Sequence, residues 1–480
     1  MTRAALLVLV TAWGALVLAG AATARPELML AAVLVLYAGV LAWALAAPVR
    51  RYLVALFLGP FGLFLLSRPV LRELGLVDPR VNADLLPWST HTRVHVLLLL
   101  TLSLLALAVG ALGAERVLGF SVRRGEQPPG ERRLAAHTRL VALWLLVPLL
   151  AARVLVTVER ARQVQSGGFY SLYTEFTSSL PTPVLLASDA LDAVVLTLLA
   201  TRPGRRLTWA VLLVYLGVGA LQLATLQRAG FFLNLLVVGF YLCLRHYTRP
   251  VGERPWITVT PVLMTLACLP LLMLASNAVG EARGRNSPSA EGPLAGILDF
   301  VYDQGVTVNV LAFTDQLAGR LPQDRLYSLG PVLEFVRYRL AGVFTGESLV
   351  AGNAVERFTE GHQLSHVVSY VVMPDLYLSG SGYGSTYVAE LYLDGGLVGV
   401  VVGSLLLGAL LGQLPRLLDQ HLVVCAIGLV LVRELFFVTR GSYSGFLVGA
   451  LGLPNLLAAA VLVGGAGVLS AWSARTRAPA

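Results

Sequence analysis

Apolar runs of membrane-spanning length alternate with short polar turns along most of the chain. A helix needs about 20 mostly apolar residues to cross a bilayer, and twelve stretches reach or approach that length. They cover residues 4–22, 28–47, 52–67, 94–113, 139–156, 184–200, 207–226, 230–245, 256–276, 386–412, 422–438 and 444–466. The third is the least regular, because Gly59 and Pro60 interrupt it. The pattern predicts an all-α, polytopic integral membrane protein with about twelve transmembrane helices.

One polar stretch, residues 277–385, is far longer than any other loop and divides the chain into three predicted regions. Residues 1–276 form an N-terminal transmembrane region of about nine spans, and residues 386–480 form a C-terminal one of about three. Residues 277–385 form a large extracytoplasmic loop. It opens with the stretch Gly280–Pro293, whose composition is typical of flexible backbone. Amphipathic stretches near 294–319 and 331–342 follow, and they predict short helices lying on the outer face.

Arginine supplies all of the positive side-chain charge, because the sequence contains no lysine. The arginines recur in every second turn between apolar runs. Since cytoplasmic loops carry an excess of basic residues, this spacing predicts an even number of spans with both termini cytoplasmic. The predicted inner turns contain Arg50 and Arg51; Arg116, Arg123, Arg124, Arg132 and Arg133; Arg202, Arg205 and Arg206; Arg245, Arg249 and Arg254; Arg416; and Arg475 and Arg477.

Composition excludes several classes of protein. The chain is 56% hydrophobic and 13% charged, which is far from the composition of soluble domains. Its formal net charge of +9 is scattered between apolar runs, so a nucleic-acid interface is not expected. The three cysteines all fall inside apolar runs and form neither a disulfide framework nor a metal motif.

A glycine-rich turn, Gly380–Gly384, closes the long loop and leads directly into an apolar run. Such a turn gives flexible backbone, and a helix start directs free N–H groups toward a ligand. Glu390 is expected in or near the first turn of that helix. The arrangement predicts a site for an anionic or hydroxyl-rich ligand. The structural alternative for Glu390 is simply an acid placed favourably at a helix N-terminus.

Several charges lie near the predicted outer ends of spans. Three are the arginines Arg228, Arg433 and Arg440, and two are the carboxylates Asp189 and Asp192. Charges at membrane depth usually face a cavity or a partner. Each alone is compatible with snorkelling to the interface or with a structural Arg–Asp pair. Together, three arginines on one predicted face suggest a site for pyrophosphate, which the guanidinium fork fits.

Metal and nucleotide motifs are missing from the sequence. His362 and His366 have the i, i+4 spacing of a zinc helix, but glutamine stands where a hydrolase needs glutamate. No outer loop contains an Asp-X-Asp pair for a metal-bound donor. Neither a P-loop, a dinucleotide fingerprint nor a nucleophile elbow is present. We therefore predict a protein with no metal and no cofactor.

Four segments together resemble the Wzy O-antigen and capsule polysaccharide polymerases. They are Leu226–Asn234, Tyr302–Asn309, Gly380–Tyr392 and Arg433–Tyr443. The resemblance implies a bacterial inner-membrane enzyme that joins oligosaccharide repeat units carried on polyprenyl pyrophosphate. Membrane lipid surrounds it, and flippase and chain-length-regulating proteins are candidate partners. Because the leaving group is already activated, the resemblance implies a metal-independent glycosyltransferase.

This chemistry assigns expected roles to residues. Pyrophosphate would be bound by Arg228, Arg440 and Arg433, because positive charge must meet the charge that develops there. The base for the acceptor hydroxyl would be Glu390 or His366, with Asp303 as the third candidate. The expected glycan-binding residues are Gln304, Tyr383, Ser385, Tyr387 and Tyr392. The tyrosines alternatively form an aromatic belt at the membrane interface.

Two other functions stay open at this point. An O-antigen-ligase-like transferase uses the same donor chemistry with a different acceptor, and sequence separates it poorly from a polymerase. A lipid-linked-oligosaccharide flippase or another transporter would use charges along a central path, related halves and short loops. The long loop and the lack of an internal repeat count against a transporter, whereas Asp189 and Asp192 count mildly for one.

Overall fold

The computed structural model describes residues 3–77, 86–117, 119, 129–174, 176–250, 252–258, 263, 270, 272–276, 279 and 292–475. Every regular element in this part of the chain is helical, which confirms the predicted fold class. The predicted flexible stretch Gly280–Pro293 lies almost wholly outside the described residues.

Ten helices in the described part are long and apolar enough to cross a membrane. They are Pro26–Ala46, Pro48–Glu73, Thr90–Val117, Gly130–Gly167, Thr182–Ala200, Arg205–Thr225, Ala229–Tyr247, Tyr387–Leu417, Leu422–Arg440 and Leu453–Trp472. The predicted first span forms the helix Arg3–Thr23. The predicted ninth span, 256–276, lies largely outside the described residues. The protein is therefore polytopic, and the count of twelve stays a prediction.

The chain forms two compact units, each assembled from discontinuous stretches. The first unit comprises Met1–Phe120, Met264–Gln413 and Phe437–Gly445, and the second comprises Ser121–Leu263, Leu414–Phe436 and Phe446–Ala480. The long predicted loop thus belongs to the first unit together with the N-terminal helices. The predicted boundaries at residues 277 and 386 concern membrane topology, and they stay predictions.

The first unit contains the N-terminal helices, the loop helices and most of Tyr387–Leu417. The helix Pro48–Glu73 runs through Pro60 without ending, because a π-helical turn at Gly62–Leu66 follows the proline. The helices of the loop are short. They are Pro293–Gln304, Val308–Gln316, Gly330–Glu334, Gly342–Thr345, Val355–Thr359, Leu364–Val372 and Pro374–Leu378. The loop also contains a π-helical stretch at Phe335–Ala341 and 3-10 turns at Gly305–Thr307 and Ala318–Arg320. A further 3-10 turn of the first unit, Val438–Arg440, lies outside the loop. Helices thus occupy both predicted amphipathic stretches.

Small residues bring two long helices of the first unit close together. A side chain added at Gly110, on Thr90–Val117, would overlap the carbonyl oxygen of Leu405 on Tyr387–Leu417. Gly408 meets the backbone of the facing helix in the same way. Glycine allows backbones to approach this closely within a membrane. The contact fixes the helix that carries Glu390 against an N-terminal span.

The helix Tyr387–Leu417 is broken by two glycines near its start. Gly395 and Gly396 have non-helical backbone angles, and φ of Gly396 is +58°. A glycine tolerates this left-handed conformation without a steric penalty. Residues 387–394 therefore form a short helix of their own ahead of the main span. Glu390 lies on this short helix, and the apolar run alone did not predict the break.

The second unit is a bundle of long helices. It contains Pro129–Gly167, Ser171–Thr174, Thr182–Ala200, Arg205–Leu221, Ala229–Tyr247, Leu422–Leu435, most of Gly445–Leu451 and Leu453–Arg475, with a 3-10 turn at Gln222–Thr225. The helix Pro129–Gly167 has 39 residues. At 1.5 Å per residue it is roughly 58 Å long, so it extends well beyond the apolar stretch 139–156 that predicted it.

Candidate active site

Glu390 lies at the centre of a buried contact in the first unit. The helix begins at Tyr387, so Glu390 falls in its first turn, as predicted. The side chain is 0% exposed. Its Oε1 accepts a hydrogen bond from the Ser385 hydroxyl at 2.6 Å, and its Oε2 accepts one from the Tyr443 backbone N–H at 2.7 Å. The carboxylate therefore joins the glycine turn to the segment 437–445.

Hydroxyl contacts hold the start of this helix in place. The Tyr387 hydroxyl lies 2.7 Å from the Ser103 hydroxyl, which lies 2.9 Å from that of Ser404. All three side chains are fully buried. Tyr387 was expected to bind glycan, but in this conformation its ring has no face open to a sugar. Its contacts position the helix turn that carries Glu390.

The glycine turn itself packs between two other parts of the first unit. The Tyr383 N–H donates to the Ser369 hydroxyl at 3.0 Å, and the Tyr383 ring meets the edge of Phe313 at 4.9 Å. Gly384 has a φ of +80°, and a Cβ there would lie 3.4 Å from the Arg440 carbonyl oxygen. The turn thus lies directly against the backbone that carries Arg440.

Arg440 contacts Gln304 and Phe64. Its Nη1 donates to the Gln304 side-chain oxygen at 2.8 Å, and its guanidinium lies over the Phe64 ring at 5.3 Å. Gln304 is 9% exposed at the end of the helix Pro293–Gln304. The structure therefore brings together two residues that the sequence analysis had assigned separately, one to pyrophosphate and one to glycan.

A second arginine, Arg68, lies beside the 3-10 turn Gly305–Thr307, which follows Gln304, and its role was not predicted from the sequence. Its guanidinium stacks over the Tyr302 ring at 4.1 Å, and its backbone closely approaches Gly305. Asp303, the third candidate base, lies between Tyr302 and Gly305 in sequence, and its side chain is half-buried. The only available signal for Arg68 was its position at the end of the third apolar run.

His366 lies on the helix Leu364–Val372 of the first unit. Its Nδ1 is 2.8 Å from the Tyr377 hydroxyl. Burial, and secondarily the charge of Arg357, lower the pKa of His366 to about 4. The imidazole is therefore neutral near pH 7, which is the state a base requires, although so low a pKa makes it a weak one.

The buried carboxylate Glu334 organises the loop around His366. It accepts from Arg357 Nη1 at 3.0 Å and from the His362 backbone N–H at 2.7 Å, and Gln363 donates to it as well. No sequence motif marked this residue. His362 precedes the helix that contains His366, so the two imidazoles do not share one helical face as a zinc pair would.

Arg433 has charged partners in the second unit. It contacts Asp192 Oδ2 at 3.7 Å, and it also pairs with the neighbouring Glu434. Asp192 accepts a closer contact, at 3.1 Å, from Arg153. A role for Arg153 was not predicted, although its position inside the predicted span 139–156 is a signal of the kind that a buried partner explains. The charges of Arg153 and Arg433 therefore compensate those of Asp192 and Glu434. The side chain of Asp189, by contrast, is exposed.

Arg228 and Tyr392 complete the set of expected residues. Arg228 is buried, at 7% exposure, and occupies the N-cap position of the helix Ala229–Tyr247 in the second unit. The preceding hairpin contains Leu226 in a left-handed conformation. In the first unit the half-buried Tyr392 meets the edge of the His95 ring at 5.0 Å. The cavity that Arg228 was expected to share with Arg440 stays a prediction.

Metal-binding side chains do not cluster in the described part of the chain. No group of three or more His, Cys, Asp or Glu side chains there is arranged to hold an ion. Cys243 and Cys425 are free thiols, and Cys268 lies outside the described residues. Metal independence itself stays a prediction about the reaction.

The fold and these contacts define an all-helical, multi-pass membrane protein with a folded loop and a buried carboxylate beside a glycine turn. The chain matches the family model of O-antigen polysaccharide polymerase Wzy over residues 6–470, and it belongs to that family. It is thus a polysaccharide polymerase of the glycosyltransferase type, acting on lipid-linked oligosaccharide repeat units. No curated protein and no solved structure matches the chain.

Proposed function

We propose that the protein joins repeat units whose donor and acceptor are both linked to polyprenyl pyrophosphate at the outer face of a bacterial inner membrane. The acceptor hydroxyl oxygen attacks the anomeric carbon of the donor. The bond from that carbon to the pyrophosphate oxygen breaks, and polyprenyl pyrophosphate leaves with the electron pair. The acceptor proton passes to a base on the enzyme, so atoms and charge balance without a metal or nucleotide.

Arg440 is proposed to meet the departing pyrophosphate. The supporting observations are that Arg440 Nη1 donates to Gln304 at 2.8 Å and that the Arg440 backbone lies directly against the glycine turn that leads to Glu390. Arg68, beside the turn that follows Gln304, adds a second guanidinium. Charge developing on pyrophosphate oxygens is stabilised most by donors held in place before the reaction. Gln304 would bind sugar or phosphate oxygens from the same position.

Glu390 is proposed to receive the acceptor proton through Ser385. Full burial prevents direct contact with a sugar in this conformation, whereas the Ser385 hydroxyl joins the carboxylate to the glycine turn over 2.6 Å. The segment 437–445 supports both assignments, because it carries Arg440 and also donates the Tyr443 N–H to Glu390. His366 and Asp303 remain the alternative bases, and each has a variant that tests it.

Both termini are proposed to be cytoplasmic, so that residues 277–385 lie outside. The arginine-bearing turns support this orientation. A cysteine introduced at residue 300 should react with an impermeant maleimide only from the outer side of intact cells. Exclusive labelling from the cytoplasmic side of inverted vesicles would reverse the topology.

One reconstitution tests the proposed reaction. Purified protein is incubated with lipid-linked repeat units as the sole substrate, and products are separated by size. A ladder of products with one repeat unit per step supports polymerisation. Transfer only after lipid A-core acceptor is added would instead indicate a ligase. Movement of substrate between leaflets without new glycosidic bonds would indicate a transporter.

A further inference from the structure

A cationic pocket lies within the second unit, and none of the residues assigned above lines it. Its volume is about 310 Å³, at the small end of the roughly 300–1,000 Å³ that ligand sites occupy. Five arginines line it, with Glu253 as the one carboxylate in the lining. They are Arg132, Arg139, Arg202, Arg245 and Arg249.

Three of the lining arginines donate to neutral oxygens. Arg139 donates to the Thr201 hydroxyl and carbonyl oxygens, and Arg245 and Arg249 each donate to a backbone carbonyl oxygen. Neutral oxygens orient a guanidinium without cancelling its charge. Arg202, in contrast, pairs with Asp419 at 2.7 Å.

The arginines are held in fixed positions. Arg245 is buried at 9% exposure, donates to the Pro203 carbonyl oxygen at 3.0 Å and stacks over the Trp256 ring at 4.2 Å. Arg202 has a φ of +49°, a left-handed conformation that is costly for a residue with a side chain. A fixed set of guanidinium groups around an open volume is suited to a phosphate group, which accepts bidentate hydrogen bonds.

The pocket lies where three spans end or begin. The helix Thr182–Ala200 ends beside it, the helix Ala229–Tyr247 ends beside it, and the long helix Pro129–Gly167 passes it in its first turns. All three ends belong to the face predicted to be cytoplasmic. Basic pockets between helices at that level are suited to anionic lipid headgroups.

We propose that this pocket binds a phosphate group, supplied by the headgroup of an anionic phospholipid of the inner leaflet or by a soluble phosphate anion. The ligand accepts hydrogen bonds from the guanidinium groups and links the ends of three helices. The site is distinct from the one proposed for polyprenyl pyrophosphate, and it does not depend on that assignment.

Thermal unfolding of the full chain in neutral detergent measures binding, because a ligand that binds only the folded state raises the unfolding midpoint. The probes are dihexanoyl phosphatidylglycerol, dihexanoyl phosphatidylcholine and inorganic phosphate. Phosphatidylglycerol should raise the midpoint saturably, and phosphatidylcholine should not. Arg249→Gln should raise the apparent Kd about tenfold or more. Arg206→Gln, an exposed arginine on the same predicted face that does not line the pocket, should leave it unchanged.

The three probes separate the outcomes. Equal stabilisation by phosphatidylglycerol and inorganic phosphate, both lost in Arg249→Gln, supports the site with a soluble anion as ligand. Stabilisation by phosphatidylglycerol alone, lost in Arg249→Gln, supports a lipid headgroup. Equal effects of both lipids, or equal losses in Arg206→Gln and Arg249→Gln, overturn the proposal. If Arg249→Gln does not fold, Arg132→Gln at the exposed rim must show a smaller loss of the same kind.

Discussion

Arg433 and Arg440 lie seven residues apart in sequence, yet they belong to different compact units. Arg433, in the second unit, contacts the carboxylates of Asp192 and Glu434. Arg440, in the first unit, donates to the side-chain oxygen of Gln304. The same role was predicted for both arginines, since both are charges near the predicted outer end of one apolar run.

The two arginines differ in their surroundings more than in their position along the apolar run. An arginine paired with carboxylates has already recovered the cost of its burial, and an anionic ligand must displace those partners. Arg440 lies on the segment whose Tyr443 N–H donates to Glu390, and its carbonyl oxygen lies against the glycine turn. The region around Arg440 is therefore the better candidate site, and the region around Arg433 is the better candidate for a structural ion-pair cluster.

The largest effect is expected for Glu390→Gln, because this variant distinguishes a catalytic base from a positioning group. In Glu390→Gln, the amide oxygen still accepts from the Tyr443 N–H and the amide N–H donates to the Ser385 oxygen, so the buried contacts survive. A general base contributes roughly 10²–10⁴-fold in rate, and the glutamine variant should lose that factor while binding lipid-linked substrate. The ladder assay and a substrate-binding assay measure both properties.

Two controls interpret this result. Glu390→Leu removes both hydrogen bonds and should lose folding stability as well as activity, because the buried Ser385 and Tyr443 donors are left unpaired. Ser385→Ala should lower activity if the hydroxyl relays the proton. Normal polymer from Glu390→Gln, with an inactive His366→Ala, would assign the base to His366. If both remain active, Asp303 is the next candidate.

Matched lysine variants test the different roles of Arg440 and Arg433. Arg440→Lys keeps the charge but loses the guanidinium fork. Its polymerisation rate should fall more than about tenfold, approaching the roughly 10²–10³-fold cost of deleting a transition-state donor, while its unfolding midpoint changes little. Arg433→Lys should retain most activity. The opposite order of rates would reverse the roles assigned to the two regions.

A third prediction addresses the stability of the second unit. Arg433→Met leaves Asp192 with Arg153 and removes the arginine that pairs with Glu434. Breaking a buried ion pair costs about 3–5 kcal/mol. Adding Asp192→Asn to Arg433→Met should restore part of that loss, since it removes the excess negative charge. Denaturant unfolding of the two single variants and the double variant measures the coupling. Additive losses would show that the two side chains do not interact.

Apolar length predicted most of the fold. The run 28–47 corresponds to the helix Pro26–Ala46, and the run 184–200 to Thr182–Ala200. Burial of backbone polar groups in lipid leaves few alternatives to a helix, so hydropathy is a strong signal. The break at Gly395 and Gly396 was not predicted, because two glycines inside an apolar run are also compatible with an unbroken span.

The side-chain contacts between residues distant in sequence could not be predicted in the same way. Arg68, Arg153 and Glu334 form contacts to residues distant in sequence, and no local pattern records such contacts. The contact between Glu390 and Tyr443 joins residues 53 positions apart. Motif resemblance named the two segments that this contact joins, one containing Glu390 and the other ending at Tyr443. It did not supply the pairing, which depends on how the helices pack.

A smaller effect is expected for pH and His366. The pKa of its folded imidazole is lowered from 6.5 to about 4, so the unfolded chain binds a proton that the folded chain does not. The contribution to stability is therefore complete above pH 6.5 and is lost as the pH falls toward 4. His366→Asn, which retains a polar atom near Nδ1, should lose less stability over this interval. Parallel pH profiles of the unfolding midpoint in both proteins would contradict the assignment.

Removal of divalent metal is expected to have the smallest effect. This experiment tests whether a carboxylate in either unit acts through a bound metal ion. Polyprenyl pyrophosphate is an activated leaving group, and the proposed reaction balances its charge with arginine alone. Turnover should therefore continue unchanged in excess EDTA, measured by the ladder assay against an untreated sample. Loss of activity that one divalent cation restores would contradict this. Asn variants would then locate the ion, at Asp303 in the first unit or at Asp189 and Asp192 in the second. Because Asp192 already contacts Arg153 and Arg433, a metal there would have to replace both arginines, so Asp303 is the carboxylate whose loss would be the more informative.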